Sequence, residues 1–273
     1  MRKQCRTWPD SPVWGLVAYC ILLTATTANA QPKATLHQKT LDAFEEYVEA
    51  FDRGIDAALK GEKPFLWIQT QGSDVRDRSR QGDIHIFKSD KNAKIPKGLI
   101  HVWGVSVFLT AAKADDVVEL LFDYDRHKDV YPSVIDSKLL GKDGNTVRGF
   151  LRFRYKKAIT AVLNTEHQAE LTKLSDERTF IRVRSTRIAQ VADYGKPEEN
   201  EMPIGKDNGF MWRLNTYWFL EQQPEGVYLE CQSLTLTRGL PFLLDWIIKP
   251  FVNSIPRDSL KELVEGTRNA LKN

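Results

Sequence analysis

The chain has 273 residues, 42% of them hydrophobic, 27% charged and 10% aromatic, with a formal net charge of +3 at neutral pH. That length allows one or two domains and a core large enough to need no disulfide or metal staple. Setting aside Arg2, Lys3, Arg6 and Asp10 in the first 30 residues leaves +1, a near-neutral balance that argues against nucleic acid as the main partner, since phosphate binding needs a basic excess or stripe.

The N-terminus has the three parts of a cleavable export signal. Arg2, Lys3 and Arg6 form a basic start, Val13 to Leu23 a short apolar run, and Ala28-Asn29-Ala30 a small-x-small cleavage site. The expected cut follows Ala30, and the expected location is periplasmic or secreted. The run is shorter than the roughly 20 apolar residues of a spanning helix, and no other segment is long and apolar enough, so no stable transmembrane anchor is expected. Two of the three cysteines, Cys5 and Cys20, fall in this leader. The mature chain then has no internal disulfide, and Cys231, in an alternating strand-like run, is expected to be packed in the core.

Beyond a short polar entry, Thr35-Leu36-His37-Gln38 has capping-box spacing. Leu41, Phe44, Val48, Phe51 and Ile55 follow at alternating three- and four-residue steps, one face of an amphipathic helix over 36–60, with Gly61 as its stop. Residues 72–98 are polar: Arg76, Arg78 and Arg80 alternate with Asp74 and Asp77 in what reads as solvated surface, ahead of a strand at Asp83–Phe87. Leu99–Leu109 is a strand, Asp115–Phe122 a helix, and Asp125–Val130 a second short helix that Tyr131-Pro132 ends. Strands then follow at Ser137–Gly141, Thr146–Tyr155, Ala161–Lys173, Thr179–Val191, Gly209–Glu221 and Gly226–Arg238. Lys142-Asp143-Gly144-Asn145 and Pro224-Glu225-Gly226 are hairpin turn signals, so antiparallel neighbours are the simplest connection. A long helical tail begins at Leu240-Pro241, and Pro250 and Pro256 are expected to kink or interrupt it. Leu260, Leu263, Val264, Thr267 and Leu271 resume its apolar stripe, which should lie across the sheet.

This order, together with the stretches Ala114–Tyr131, Asp125-Arg126-His127-Lys128-Asp129-Val130-Tyr131-Pro132 and Leu240–Leu271, resembles the START-like SRPBCC superfamily over residues 100–272. That group includes COQ10-type coenzyme Q-binding domains and polyketide cyclases. Phe44–Val48, Leu99–Gly104, Gly209–Trp218 and Ile255-Pro256-Arg257-Asp258-Ser259-Leu260 resemble uncharacterised exported bacterial members. The resemblance implies an α+β helix-grip fold, a curved antiparallel sheet around a long C-terminal helix, here with an added N-terminal helix. It divides the chain into a signal peptide (1–30), an N-terminal helical extension (31–98) and the START-like domain (99–273). It also implies a cavity between sheet and C-terminal helix for lipids, quinones, sterols or aromatic molecules. The residues expected to line it are Trp103, Arg184, Arg213, Asn215, Tyr217 and Trp246.

Motifs for chemistry are sparse. The sequence has no Walker or GxGxxG loop, no GxSxG elbow, and no histidine or cysteine pair at metal-ligand spacing. No cofactor or metal is expected. The run Trp212–Trp218 fits a strand buried on its tryptophan face; it equally fits one whose Arg213, Asn215 and Tyr217 orient a ligand head group, because a guanidinium fork bonds both oxygens of a carboxylate or phosphate. Phe242–Ile248 fits a sheet-covering helix face or a lid in transient membrane contact. Three readings result: a non-enzymatic binder of an apolar small molecule or lipid; a cyclase- or hydrolase-type enzyme, needing an acid or base such as His167 or Glu230 in the cavity; and a protein-interaction module docking through helix 36–60.

Overall fold

The computed structural model describes residues 33–88, 93–156, 160–239 and 245–272, with the backbone alone for 245–256. The expected export signal at 1–30 and the expected start of the tail at Leu240-Pro241 lie outside the described residues. Lys33–Asn273 forms one compact unit.

In chain order the elements are β1 (Ala34–Thr35), α1 (Gln38–Leu59), α2 (Ser73–Arg80), β2 (His85–Lys88), β3 (Ala93–Ile95), β4 (Gly98–Thr110), α3 (Ala114–Phe122), α4 (His127–Val130), β5 (Val134–Asp143), β6 (Thr146–Lys156), β7 (Thr160–Lys173), β8 (Arg178–Ala192), β9 (Asn200–Glu201), β10 (Lys206–Asp207), β11 (Arg213–Gln223), β12 (Gly226–Arg238) and α5 (Asp245–Ala270). One antiparallel sheet runs in the order β2-β4-β12-β11-β8-β7-β6-β5, with β3 also on β4 and β9 on β8. Antiparallel neighbours in succession are β5–β6, β6–β7, β7–β8 and β11–β12, and the first and last of these turn at the two signals read from the sequence. Register shifts in β5–β6 and β7–β8 mark bulges, which bend a strand and raise its twist.

The sheet is covered on both faces. On the outer face α1 buries Phe44, Val48 and Ile55 against Ile100, Val102, Phe180, Tyr217, Phe219, Leu234 and Leu236. The apolar stripe that could have served a partner is therefore occupied by the chain's own sheet. Gly61 ends α1 as expected, with φ +78° and Glu62 N–H bonded to Ala57 O at 2.9 Å, a backbone conformation that side chains resist. The expected capping box does not form. His37 is the N-cap without a side-chain bond, because Thr35 is drawn into β1 opposite Lys206.

The arginine-rich stretch lies at the surface as expected, and it is a helix, α2, which was not among the expected elements; the guanidinium of Arg80 at its end lies 5.1 Å from the Phe108 ring centre and 3.1 Å from Glu225. Of the two outcomes expected at Pro250 and Pro256, interruption does not occur: a single helix runs through both, since each proline removes only one backbone donor and tertiary packing can sustain the rest. On the inner face α3 and α5 supply Val117, Leu121, Leu260 and Val264. Close approach of α5 to α4 requires Gly266, where a Cβ would sit 2.8 Å from Val130 O.

Candidate functional site: the inner face under the C-terminal helix

Strand parity sorts the side chains into rows across the sheet. On the inner face, Val105–Cys231–Trp218–Ile181 and Val107–Leu229–Leu220–Thr179 are two consecutive rows. Both are buried, under a cluster that includes α3 and the second half of α5. Cys231 lies within this layer, and burial pushes its thiol up, away from the reactive thiolate; the sequence expectation of a packed cysteine agrees.

The adjoining row differs. It runs Lys88–Trp103–Ser233–Thr216–Val183, and Trp103, Thr216 and Val183 are only half-buried, as are Leu214, Ser185 and Thr235 beside it. An apolar surface with scattered hydroxyls is thus left partly uncovered on the face along which α5 packs. The row also holds an unsatisfied donor: Trp103 Nε1 is sealed from solvent and has no hydrogen-bond partner among the described residues. The same is true of His101 Nδ1, two residues back on β4. Leaving such a group unpaired costs about 1–3 kcal/mol. Lys88 Nζ stands 5.4 Å from the Trp103 ring centre. Burial, with a contribution from Lys88, lowers His101 to about 4, so its imidazole is neutral at ordinary pH.

A polar cluster occupies another part of this face. His167 Nε2 contacts Thr165 Oγ1 at 2.8 Å. His127 packs between Tyr124 and Tyr131, with ring centres 4.7 and 5.2 Å away. Tyr131 Oη meets Thr267 Oγ1 of α5 at 3.1 Å, and the Tyr155 phenol lies near Ser259 of the same helix. Burial lowers both His127 and His167 to about 4 and raises Tyr131 to about 12. Tyr155 is raised as well, for the same reason. Neutral imidazoles and un-ionised phenols donate and accept hydrogen bonds without net charge. Among the described residues no group of three or more His, Cys, Asp or Glu side chains is placed to hold a metal ion.

The six residues expected to line the cavity divide. Trp103 lies on the inner face. Trp246 belongs to α5 by its backbone, and its side chain lies outside the described residues. Arg184, Arg213, Asn215 and Tyr217 are on the outer face: Asn215 pairs with Arg184 and Leu234, and Tyr217 with Arg182, all facing α1. There Asp52 of α1 accepts from Tyr217 Oη at 2.8 Å and from Arg184 Nη2. With the Asn215 amide turned so that both of its ends are satisfied, its oxygen accepts from Arg184 Nη1 at 3.0 Å. Arg213 bonds the Trp212 carbonyl at 2.8 Å. Tyr217 is fully buried, and burial together with Asp52 raises its phenol. The four residues do not face α5. They hold the added N-terminal helix, and an odd/even choice that composition cannot make put them there. Glu230, weighed above as a cavity acid, is also on the outer face: its carboxylate accepts from Trp67 N at 2.7 Å and Ile68 N at 2.8 Å, at the start of a short turn. His167 does face inward. The sequence reading missed Thr216, Val183, Ser233 and Ser185; their alternation was legible, but not which parity pointed to α5.

A curved antiparallel sheet with its inner face along a C-terminal helix, and an extra helix behind, completes the geometry. The fold is an α+β helix grip. No family model matches the chain, and no curated protein matches it. Solved structures similar to it include a STAR-related lipid transfer protein from Xanthomonas axonopodis (20% identity, 67% of this chain and 98% of that one, TM-score 0.47). Others are the aromatase/cyclase Zhui from Streptomyces sp. R1128 (13%, 63% and 94%, 0.46) and human STARD10 (10%, 72% and 80%, 0.41). At these identities and scores the likenesses say nothing about what this chain binds.

Proposed function

We propose that this protein is an exported, non-enzymatic binder of an apolar small molecule or lipid, held between the inner sheet face and α5. The observation that carries the reading is the half-buried row Trp103–Thr216–Val183, with Leu214 beside it, lying next to rows that α3 and α5 seal. Apolar surface that the fold leaves open beside a few placed hydroxyls is the usual composition of a ligand pocket. Affinity comes from desolvation, at about 25 cal/mol per Å² of apolar area before ordering costs. Export rests on the basic start, apolar run and Ala28-Asn29-Ala30 of the leader, and N-terminal sequencing of the mature protein should begin at Gln31.

Native mass spectrometry of the protein purified from its export compartment, followed by extraction, tests the binding reading. An apolar molecule near one per chain is expected. Val183→Trp, which fills the open row, should then purify empty. Full occupancy in that variant would place the ligand elsewhere.

A second reading, a cyclase- or hydrolase-type enzyme, draws on the inward-facing His167 with Tyr131 and Tyr155 elsewhere in the polar cluster. Turnover of an extracted ligand that His167→Ala abolishes without loss of binding would favour it.

A further inference from the structure

Two polar atoms of β4, Trp103 Nε1 and His101 Nδ1, are buried on the inner face without a partner among the described residues. The indole N–H can only donate. Beside it, Lys88 on the edge strand β2 occupies the same row and lies 5.4 Å from the Trp103 ring centre. Lys88 has no ion pair among the described residues, and its ammonium is likewise donor-only. Continuing across the sheet the row passes to Ser233 and Thr216. Thr216 Oγ1 already accepts from Trp218 Nε1 at 3.1 Å, so its hydroxyl hydrogen remains to be given. This corner therefore offers donors in excess of acceptors at one end of an apolar surface. Elsewhere on the inner face His167 pairs with Thr165, Tyr131 with Thr267, and Ser185 with the Leu214 amide at 2.9 Å; the Thr179 hydroxyl is also buried without a partner among the described residues, but it lies in a row that is sealed.

We propose that the Trp103–Lys88 corner is a head-group site, and that the protein selects apolar molecules ending in an anionic oxygen group, carboxylate or phosphate, over neutral hydrocarbons. This rests on the inner-face binding reading above and adds the polarity and position of the head. An oxyanion arriving there takes the indole N–H as a hydrogen-bond donor and the ammonium as counter-charge, and charge-assisted bonds of this kind are the stronger class. The apolar body then extends over Thr216, Val183 and Leu214. A neutral hydrocarbon gains the same desolvation but leaves the indole N–H unpaired.

The test compares delipidated wild type with Lys88→Met and Trp103→Phe, using displacement of an apolar fluorescent dye by oleate, oleyl phosphate and 1-octadecene. Lys88 is exposed, so its variant should fold even if the tryptophan variant does not. Each variant should weaken the anionic probe by about tenfold, the value of one charge-assisted hydrogen bond, and leave 1-octadecene within twofold. Preference for oleate points to a fatty carboxylate, and preference for oleyl phosphate to a phospholipid head; either supports the proposal. Unchanged anionic affinity in Lys88→Met, or an equal loss for 1-octadecene, overturns the head-group site while leaving inner-face binding intact. Failure of all three probes to displace the dye from wild type overturns both.

Discussion

Asp52→Ala should destabilise the protein without touching ligand binding, although the residues it disturbs include two that the sequence marks for the cavity. Asp52 accepts from the buried Tyr217 hydroxyl at 2.8 Å and from Arg184, with Arg182 Nε 3.9 Å away. A hydrogen bond to a charged group contributes about 1.5–3 kcal/mol. The Arg184–Asp52 pair, with side chains 36% and 21% exposed, contributes less, about 1 kcal/mol, because solvent screens it. The sum is about 2.5–4 kcal/mol for Asp52→Ala and about 1.5–3 kcal/mol for Tyr217→Phe, with a coupling of about 1.5–3 kcal/mol in the double-mutant cycle. Urea denaturation of wild type, both single variants and the double variant gives these values directly. At about 2–4 °C per kcal/mol for a domain of this size, the loss is also visible as a fall in Tm. Additive single losses, with no coupling, would refute the Asp52–Tyr217 bond as the tie. Intact stability with lost ligand binding would return Arg184 and Tyr217 to a binding role.

The remaining predictions concern pH and packing. Burial raises Glu230 to about 7, above its ordinary carboxylate value. The unfolded chain therefore ionises first as pH rises, and stability should fall between about pH 4.5 and 7 by up to about 1.4 kcal/mol per unit. Denaturation at a series of pH values should show that slope in wild type and a flatter one in Glu230→Gln; a flat wild-type profile would contradict it. Gly149→Ala places a Cβ 2.0 Å from the Tyr124 ring and should cost about 1–3 kcal/mol by overpacking, read as a lower denaturation midpoint. Gly266→Val should loosen α5 from α4 and lower thermal stability, with Val130 O 2.8 Å from the Cβ position. Cys231, buried with a raised thiol, should react with a thiol reagent only after denaturation; reaction in the native protein would show that the inner layer opens.

Periodicity and turn chemistry are local properties, and they carried much of this fold in the sequence itself. The stripe Leu41, Phe44, Val48, Phe51 and Ile55 fixed α1, and Gly61 its end. Alternation and the Asp143-Gly144 and Glu225-Gly226 turns fixed the long strands of the sheet within a few residues. The buried state of Cys231 was legible from the alternation around it. Three things were not. Thr35 was recruited as a strand partner for Lys206 rather than as a cap, because a distant segment competes for the same backbone. Arg76, Arg78 and Arg80 stay at the surface as read, but their helical state was not legible, since Arg80 meets Phe108 and Glu225 only across the fold. Above all, alternation shows that Trp212–Trp218 has two faces but not which one meets the C-terminal helix. A strand's parity relative to its neighbours depends on long-range register and on bulges such as that at Glu166–His167, and a one-residue slip exchanges the faces. Only the assembled sheet could turn Arg184, Asn215 and Tyr217 toward α1 and leave Trp103, Thr216 and Val183 to the inner face.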